Sequence, residues 1–184
     1  MPYRLLPALL LTAALGACVP KAAPPPPAPR PIPAPAPAPL PTPTPAPAPP
    51  PSYANWMDAP RTPGDWFYKR MGNATYAVYG ASDRDFVFVM RCDLAARTIA
   101  LGRVSAQAAA RPLRIRTETA ERTLTAVPRQ GSIETLLAVD LAARDPLLDA
   151  MALSKGRFAV EAAGETPLYV PSWPEVSRVI EDCR

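Results

Sequence analysis

The chain contains no histidine among its 184 residues. This absence excludes Ser-His-Asp and Cys-His catalysis in their usual forms and removes the commonest ligand of transition metals. Cysteine is also scarce, with three residues in all, which disfavours a zinc site. The sequence has no phosphate-binding loop and no nucleotide fingerprint. We therefore expect a protein without metal, cofactor or enzymatic activity. A hydrolase that uses carboxylates and tyrosines in place of histidine is the alternative.

Long hydrophobic runs are absent too. The apolar run from Leu5 to Leu15 is far shorter than the roughly twenty residues that a membrane-spanning helix needs. It follows a single charge, Arg4, and leads to small residues, which is the build of an export signal. The sequence therefore predicts a signal peptide over residues 1–17.

The end of this signal has a specific form. Leu15-Gly16-Ala17-Cys18 resembles the lipobox of bacterial lipoproteins, in which an aliphatic and two small residues precede a cysteine. The resemblance implies a diacylglyceryl group on Cys18, cleavage before it and acylation of the new amino terminus. Such acyl chains would make membrane attachment effectively permanent. By the same resemblance, Val19 implies sorting to the outer membrane, with the folded domain in the periplasm. An ordinary secretory signal that carries a cysteine is the alternative.

Proline is concentrated just after this cysteine. Between Val19 and Ser52 it alternates with alanine, as in Pro33-Ala34-Pro35. Such a segment lacks amide donors and apolar surface, so we expect residues 18–52 to form a disordered spacer of extended polyproline II character. The repeated Pro-x-Pro pattern also suits a docking ligand for a partner with an aromatic groove.

The charge distribution argues against a nucleic-acid partner. The whole chain carries a net charge of +4. Three of its basic residues, Arg4, Lys21 and Arg30, lie in the signal and the spacer, and the region from Tyr53 onward is close to neutral. A near-neutral domain has no electrostatic footprint for a polyphosphate, so we expect none to bind.

Residues 53–184 are enough for one core and too few for two ordinary domains. Short apolar or alternating runs separated by turn signals recur along this region, which is typical of an antiparallel sandwich or barrel. We predict turns at 128–132 and strands at 66–68, 75–80, 85–92, 98–104, 112–119, 123–127, 133–141, 157–162 and 168–170.

The predicted strand from Asp85 to Cys92 is apolar at almost every position. This pattern predicts a central strand that is covered on both sides. Strict alternation would place Val87 and Val89 on one face of this strand. The opposite face would carry Phe86, Phe88, Met90 and Cys92.

Two helices are predicted among these strands. Asp145-Pro146 is typical of a helix start, and Gly156 is well placed to end that helix. Ser172-Trp173-Pro174-Glu175 has capping-box spacing for a helix at the C-terminus. The apolar face of the terminal helix recurs at helical spacing and comprises Val176, Val179, Ile180 and Cys183.

Two cysteines fall in the folded region, Cys92 in the central strand and Cys183 in the last helix. In an exported domain such a pair is more often a disulfide than two free thiols, which are the alternative. A bond between them would fasten the terminal helix to the central strand.

Two sets of residues are candidate binding surfaces. Outward charges around the 112–119 strand, chiefly Arg114 and Arg116, form either a recognition surface or a solvated sheet face with cross-strand ion pairs. Tyr169, Trp173 and Arg178 form either an aromatic and arginine patch or, for Trp173, a contact that packs the last helix on the sheet.

The folded region also resembles small β-sandwich envelope proteins of α-proteobacteria, such as the invasion-associated locus B family. The likeness lies in the strand series, the cysteine in a central strand and the aliphatic terminal helix, and it transfers no functional residue. We expect a membrane-anchored protein that acts by binding an envelope protein, as an accessory subunit of a complex or an inhibitor of one. A carrier or sensor of a small apolar ligand in a sandwich cavity is the alternative.

Overall fold

The computed structural model describes residues 53, 55–131 and 133–184. The lipobox and the predicted spacer lie outside these residues. A 3₁₀ turn at Trp56–Asp58 is followed by nine strands and two helices. In chain order they are β1 (Asp65–Met71), β2 (Ala74–Gly80), β3 (Phe86–Asp93), β4 (Thr98–Val104), β5 (Arg111–Arg116), β6 (Glu121–Gln130), β7 (Thr135–Ala142), α1 (Pro146–Ala152), β8 (Arg157–Ala162), β9 (Leu168–Pro171) and α2 (Pro174–Asp182).

The prediction of a mainly β, antiparallel fold with one short and one C-terminal helix is confirmed. All nine strands belong to one curled sheet, in the order β1-β2-β3-β4-β7-β6-β5-β8-β9. The curl runs through β6, whose residues 121–126 pair with β5 and whose residues 127–130 pair with β7. We call β1, β2, β3, β4 and β7 the large half of the sheet, and β5, β8 and β9 the small half.

The inner faces of the two halves share one hydrophobic core. The ring of Phe88 on β3 lies 6.0 Å from that of Phe158 on β8, edge to face. The indole Nε1 of Trp66 on β1 donates to the backbone oxygen of Pro171 on β9 at 2.8 Å, so the two outermost strands also meet. Buried side chains from both halves therefore pack together in the space between them.

The helix α2 packs against the first three strands, as its apolar face requires. Val176, Val179 and Ile180 are buried, and Cys183 forms a disulfide with Cys92 at a Cα–Cα distance of 5.6 Å. The predicted bond between the terminal helix and the central strand is therefore confirmed.

The predicted capping box of α2 is wrong. The N-cap residue is Trp173 rather than Ser172, and its side chain makes no capping hydrogen bond. The Ser172 hydroxyl instead donates to the backbone oxygen of Met151 in α1 at 2.8 Å. The helix starts at Pro174, where the missing N–H is not needed. A tertiary contact between the two helices thus replaces the local cap.

The predicted turn at 128–132 is also wrong over most of its length, because β6 continues to Gln130. Ser132 lies outside the described residues. Pro128 stands within the strand, opposite Leu137 of β7. Residues 127–130 of β6 have β7 as their only paired neighbour, because the pairing of β6 with β5 ends at Ala126. Such a one-sided stretch is where a strand tolerates a proline.

The alternation predicted for β3 holds from Phe88 to Cys92 but fails at Phe86. A bulge shifts the register, so that Tyr79 pairs with Phe88 while Gly80 pairs with Phe86. Phe86 therefore lies on the face opposite Phe88. Gly80 makes this close approach possible, because a Cβ there would lie 2.3 Å from the Cα of Phe86.

Candidate functional site

The outer face of the large half carries a groove of about 650 Å³. Its floor follows one row of residues in register across four strands, in which Val78 pairs with Val89, Val89 with Gly102, and Gly102 with Ala138. Residues directly opposite one another share a face of the sheet. The row therefore forms a continuous apolar strip that faces away from the core.

The centre of this strip is a glycine. A Cβ on Gly102 would lie 2.9 Å from Cγ1 of Val89 and 3.2 Å from Cδ1 of Leu136, so these two side chains lean over the glycine from both sides. The second face of β3 is thus the floor of a groove. Val89 on this face is 7% exposed, so the predicted burial of both sides of the strand holds at this residue.

Apolar side chains also stand at the two ends of the groove. Met71 at the end of β1 is 59% exposed, and Ile133 in the β6–β7 turn is 51% exposed. Tyr76 on β2 and Phe86 on β3 add aromatic walls between them. The groove therefore offers exposed apolar side chains at its two ends, whereas the strip between them is nearly buried, with Val78, Val89 and Ala138 at 2%, 7% and 3% exposure.

Ion pairs bracket the groove. At the β1 end, Lys69 Nζ lies 3.7 Å from a carboxylate oxygen of Asp83. At the β6 end, Arg129 makes two hydrogen bonds to Asp140, at 2.8 and 2.6 Å. The hydrogen bond from Arg129 lowers the pKa of Asp140, although partial burial acts in the opposite direction.

Two further arginines line the groove. Arg91 lies over the ring of Tyr76, with its guanidinium carbon 5.9 Å from the centroid, and it also pairs with Asp93 at 3.2 Å. Arg84, in the β2–β3 turn, has no carboxylate within ion-pair distance among the described residues. Among the described residues the groove thus has one cation without an ion pair, which is flanked in the chain by Asp83 and Asp85.

Arg114 and Arg116 lie elsewhere, on the outer face of the small half. Both pair with Glu161 on β8 and with Glu121 on β6; Arg116 Nε lies 3.0 Å from Glu121 Oε2, and Arg114 Nε donates to Glu161 at 2.6 Å. This arrangement is the solvated sheet face with cross-strand ion pairs that the sequence offered as one interpretation.

The structure gives the three residues of the predicted C-terminal patch different neighbours. Tyr169 packs with Trp56, Ala59 and Ala159 in a small cluster on the outer face of the small half. Trp173 packs against the main core, and the guanidinium of Arg61 lies 5.0 Å from its ring centroid.

Arg178 has a third environment, over the ring of Tyr68 with its guanidinium carbon 3.7 Å from the centroid. The Tyr68 hydroxyl donates to Asp182 at 2.7 Å. Burial, followed by this hydrogen bond, raises the pKa of Tyr68. Arg178 therefore stacks on β1 rather than joining Tyr169 and Trp173 in a patch.

A buried polar cluster was not predicted from the sequence. Arg103 on β4 donates to Glu165 at 2.5 Å and to the backbone oxygen of Val160 at 3.1 Å, and the hydroxyl of Ser105 donates to the same glutamate. The side chains of Arg103 and Glu165 are 6% and 13% exposed. Each of the three guanidinium nitrogens donates to an acceptor within the protein, since Nη2 also donates to the backbone oxygen of Thr166, so this cluster joins the two halves rather than forming a reactive site.

No group of metal-ligating residues occurs among residues 53, 55–131 and 133–184, and no helix in the same part of the chain is long and apolar enough to cross a membrane. The groove is the feature of the described domain best suited to hold another molecule. Comparisons of the chain with protein-family models, with curated proteins and with solved structures found no match.

Proposed function

We propose that this chain is a bacterial lipoprotein, anchored in the outer membrane through Cys18, whose β domain acts by binding as an accessory subunit of an envelope complex. The lipobox sequence supports the anchor, and the Pro/Ala-rich segment supports a spacer between the anchor and the domain. Tethering would raise the local concentration of the domain near its partner and so strengthen an otherwise modest interaction.

The observation that carries the binding function is the groove on the outer face of the large half. Contiguous exposed apolar surface with a polar rim marks interaction sites on proteins. Met71 and Ile133 leave more than half of their surface in solvent at the two ends of the groove. The partner would cover these side chains and the strip between them.

Site-specific crosslinking tests this proposal. A photoreactive amino acid at Met71, in the full-length protein in intact cells, should capture the same envelope protein repeatedly. The matched control is Leu153, which is 81% exposed at the end of α1 and does not line the groove. Equal capture from both positions would refute a binding function of the groove.

The anchor has its own test. Cys18→Ser removes the thiol to which the acyl groups would attach, so the protein should move from the membrane fraction to the soluble fraction. Retention of this variant in the membrane would overturn the assignment of Cys18 as the lipidation site.

The second candidate function is that of a carrier or sensor of a small apolar ligand. Its support is the volume of the groove, which lies within the roughly 300 to 1,000 Å³ of ordinary ligand sites. The ligand would lie on the outer face of the large half, because side chains fill the space between the halves. A small adduct on the Met71 photoprobe, without a captured protein, would favour this function.

A further inference from the structure

We infer that the groove binds the acyl chain of a lipid with an anionic headgroup. This inference rests on the second candidate function, since it names the ligand class of the same groove. Three properties of the groove carry it: its volume, the pairing of the strands beneath it, and the charge of Arg84 in the β2–β3 turn.

The volume selects a slender occupant. An α-helix with its side chains is about 10–12 Å across and rises 1.5 Å per residue, so 650 Å³ would hold only about one turn. The groove therefore cannot enclose a helix of a partner protein over more than about one turn, although such a helix could lay one face across it. An acyl chain is much narrower and fits along the row of Val78, Val89, Gly102 and Ala138 that crosses the strands.

The strand pairing disfavours an extended peptide. The floor strands β2, β3, β4 and β7 each lie between two paired neighbours in the sheet. Their backbone donors and acceptors are directed to those neighbours. Strand addition at the free edges of β1 and of residues 127–130 of β6 would extend the sheet at the ends of the groove and would not cover its floor. A hydrocarbon chain needs no backbone partner, and the floor offers it apolar side chains alone.

The charge places the headgroup near Arg84. The other lining cations have carboxylates beside them: Lys69 has Asp83, Arg91 has Asp93 and Arg129 has Asp140. Arg84 lacks such a partner among the described residues and lies two positions from Phe86 in the groove wall. A guanidinium can bind a carboxylate or phosphate through two parallel hydrogen bonds, which suits an anionic headgroup at this end.

Oleate and oleyl alcohol, which share a chain and differ in headgroup charge, test the inference. Both are titrated below their aggregation limits into the full chain carrying Cys18→Ser, so that its own acyl groups cannot occupy the groove. We expect oleate to bind with one-to-one stoichiometry. Arg84→Gln should weaken the affinity for oleate about tenfold and leave the affinity for oleyl alcohol unchanged. Arg70→Gln, an exposed arginine of β1 outside the groove, is the matched control and should change neither affinity.

Two further variants test where the acyl chain of the ligand lies in the groove. Ala100→Leu adds bulk to the groove wall and should weaken both ligands about tenfold or more, with an unchanged melting temperature as the control for folding. Ile133→Asp, at a half-exposed position that tolerates a polar residue, should weaken both ligands without perturbing the core. Equal effects of Arg84→Gln and Arg70→Gln, or unchanged binding in both groove variants, would overturn the inference. If oleate does not bind while the Met71 probe captures a protein, the lipid inference fails and the accessory-subunit proposal stands.

Discussion

The two outer faces of this curled sheet differ in how far other segments of the chain cover them. On the small half, the segment before β1 folds back and covers the sheet: Trp56 and Ala59 are 7% and 1% exposed against Ala159 and Tyr169. On the large half, the described residues provide no such segment, and the strip through Gly102 is the nearly buried floor of a groove whose two ends are exposed. The exposed part of the small half therefore presents ion-paired charges such as Arg114 and Glu121, whereas the exposed ends of the groove present apolar side chains to a partner.

Polar contacts secure the covered face. Thr62 exchanges hydrogen bonds with the backbone of Tyr169, donating to its oxygen at 3.0 Å and accepting from its N–H at 2.8 Å through the threonine hydroxyl. Arg157 donates to the backbone oxygen of Ala59, and Arg114 pairs with Glu161 on the same half. The outward polar groups of the small half thus bond to other groups of the same protein. Because the two faces differ in this way, mutations on each face should have different effects.

The largest effect should come from the disulfide, which lies in the core beneath the large half. Replacing Cys92 and Cys183 together by alanine should lower the free energy of unfolding by about 4 to 5 kcal/mol, because the bond closes a long loop in the unfolded chain. Urea denaturation measures this loss, and Cys18→Ser serves as the cysteine control without effect on stability. A loss below about 1 kcal/mol would show that the bond does little for the domain.

The next largest effect should come from the buried pair that joins the two halves. Arg103→Met leaves the carboxylate of Glu165 buried without its guanidinium, which should cost about 3 kcal/mol. The double change Arg103→Met with Glu165→Met removes the stranded charge and should recover part of this loss in the same urea denaturation. A double variant less stable than the single one would contradict the assignment of this pair as a stabilising link.

A matched pair of substitutions tests the two outer faces directly. Trp56→Ala uncovers the small half and should lower the free energy of unfolding by about 2 kcal/mol, since it removes a large buried side chain at the periphery of the fold. Met71→Ser, at the rim of the groove, should change stability by less than about 0.5 kcal/mol. Comparable losses in thermal denaturation would show that the groove face is also needed for folding.

The smallest effect concerns the ion pair at the β6 end of the groove. Arg129 keeps the pKa of Asp140 below its unfolded value, so the pair stabilises the fold above about pH 3.9 and loses this effect as the pH falls through the lowered pKa. Asp140→Asn should cost a few tenths of a kcal/mol at pH 7, because both side chains are nearly half exposed and screened by solvent. The difference from the parent protein should vanish at about pH 2, and a constant difference across this range would exclude the linkage.

The sequence predicted the local elements well. Alternating runs located all nine strands, and the apolar positions of α2 identified the face that carries Cys183. These features depend on the repeat of a single strand or helix, which can be read from neighbouring residues. Leu113 and Ile115, which alternate with the outward Arg114 and Arg116, are fully buried, as this repeat requires.

The groove could not be predicted in this way. Its floor requires the register among β2, β3, β4 and β7, and its wall requires the bulge that turns Phe86 to the outer face. The one local signal is the apolar second face of β3 at Val89, which predicts a covered face but not what covers it. Apolar character alone does not distinguish a covered face from an open one.

The amino-acid sequence by itself determined the strands, the two helices and which cysteines could meet, because these follow from short-range periodicity and the count of available thiols. Only the tertiary structure decided which faces are covered, how β6 joins the halves, and that Arg103 meets a glutamate 62 residues away. Such pairings depend on how the sheet curls, and the curl is set by contacts between residues far apart in the chain.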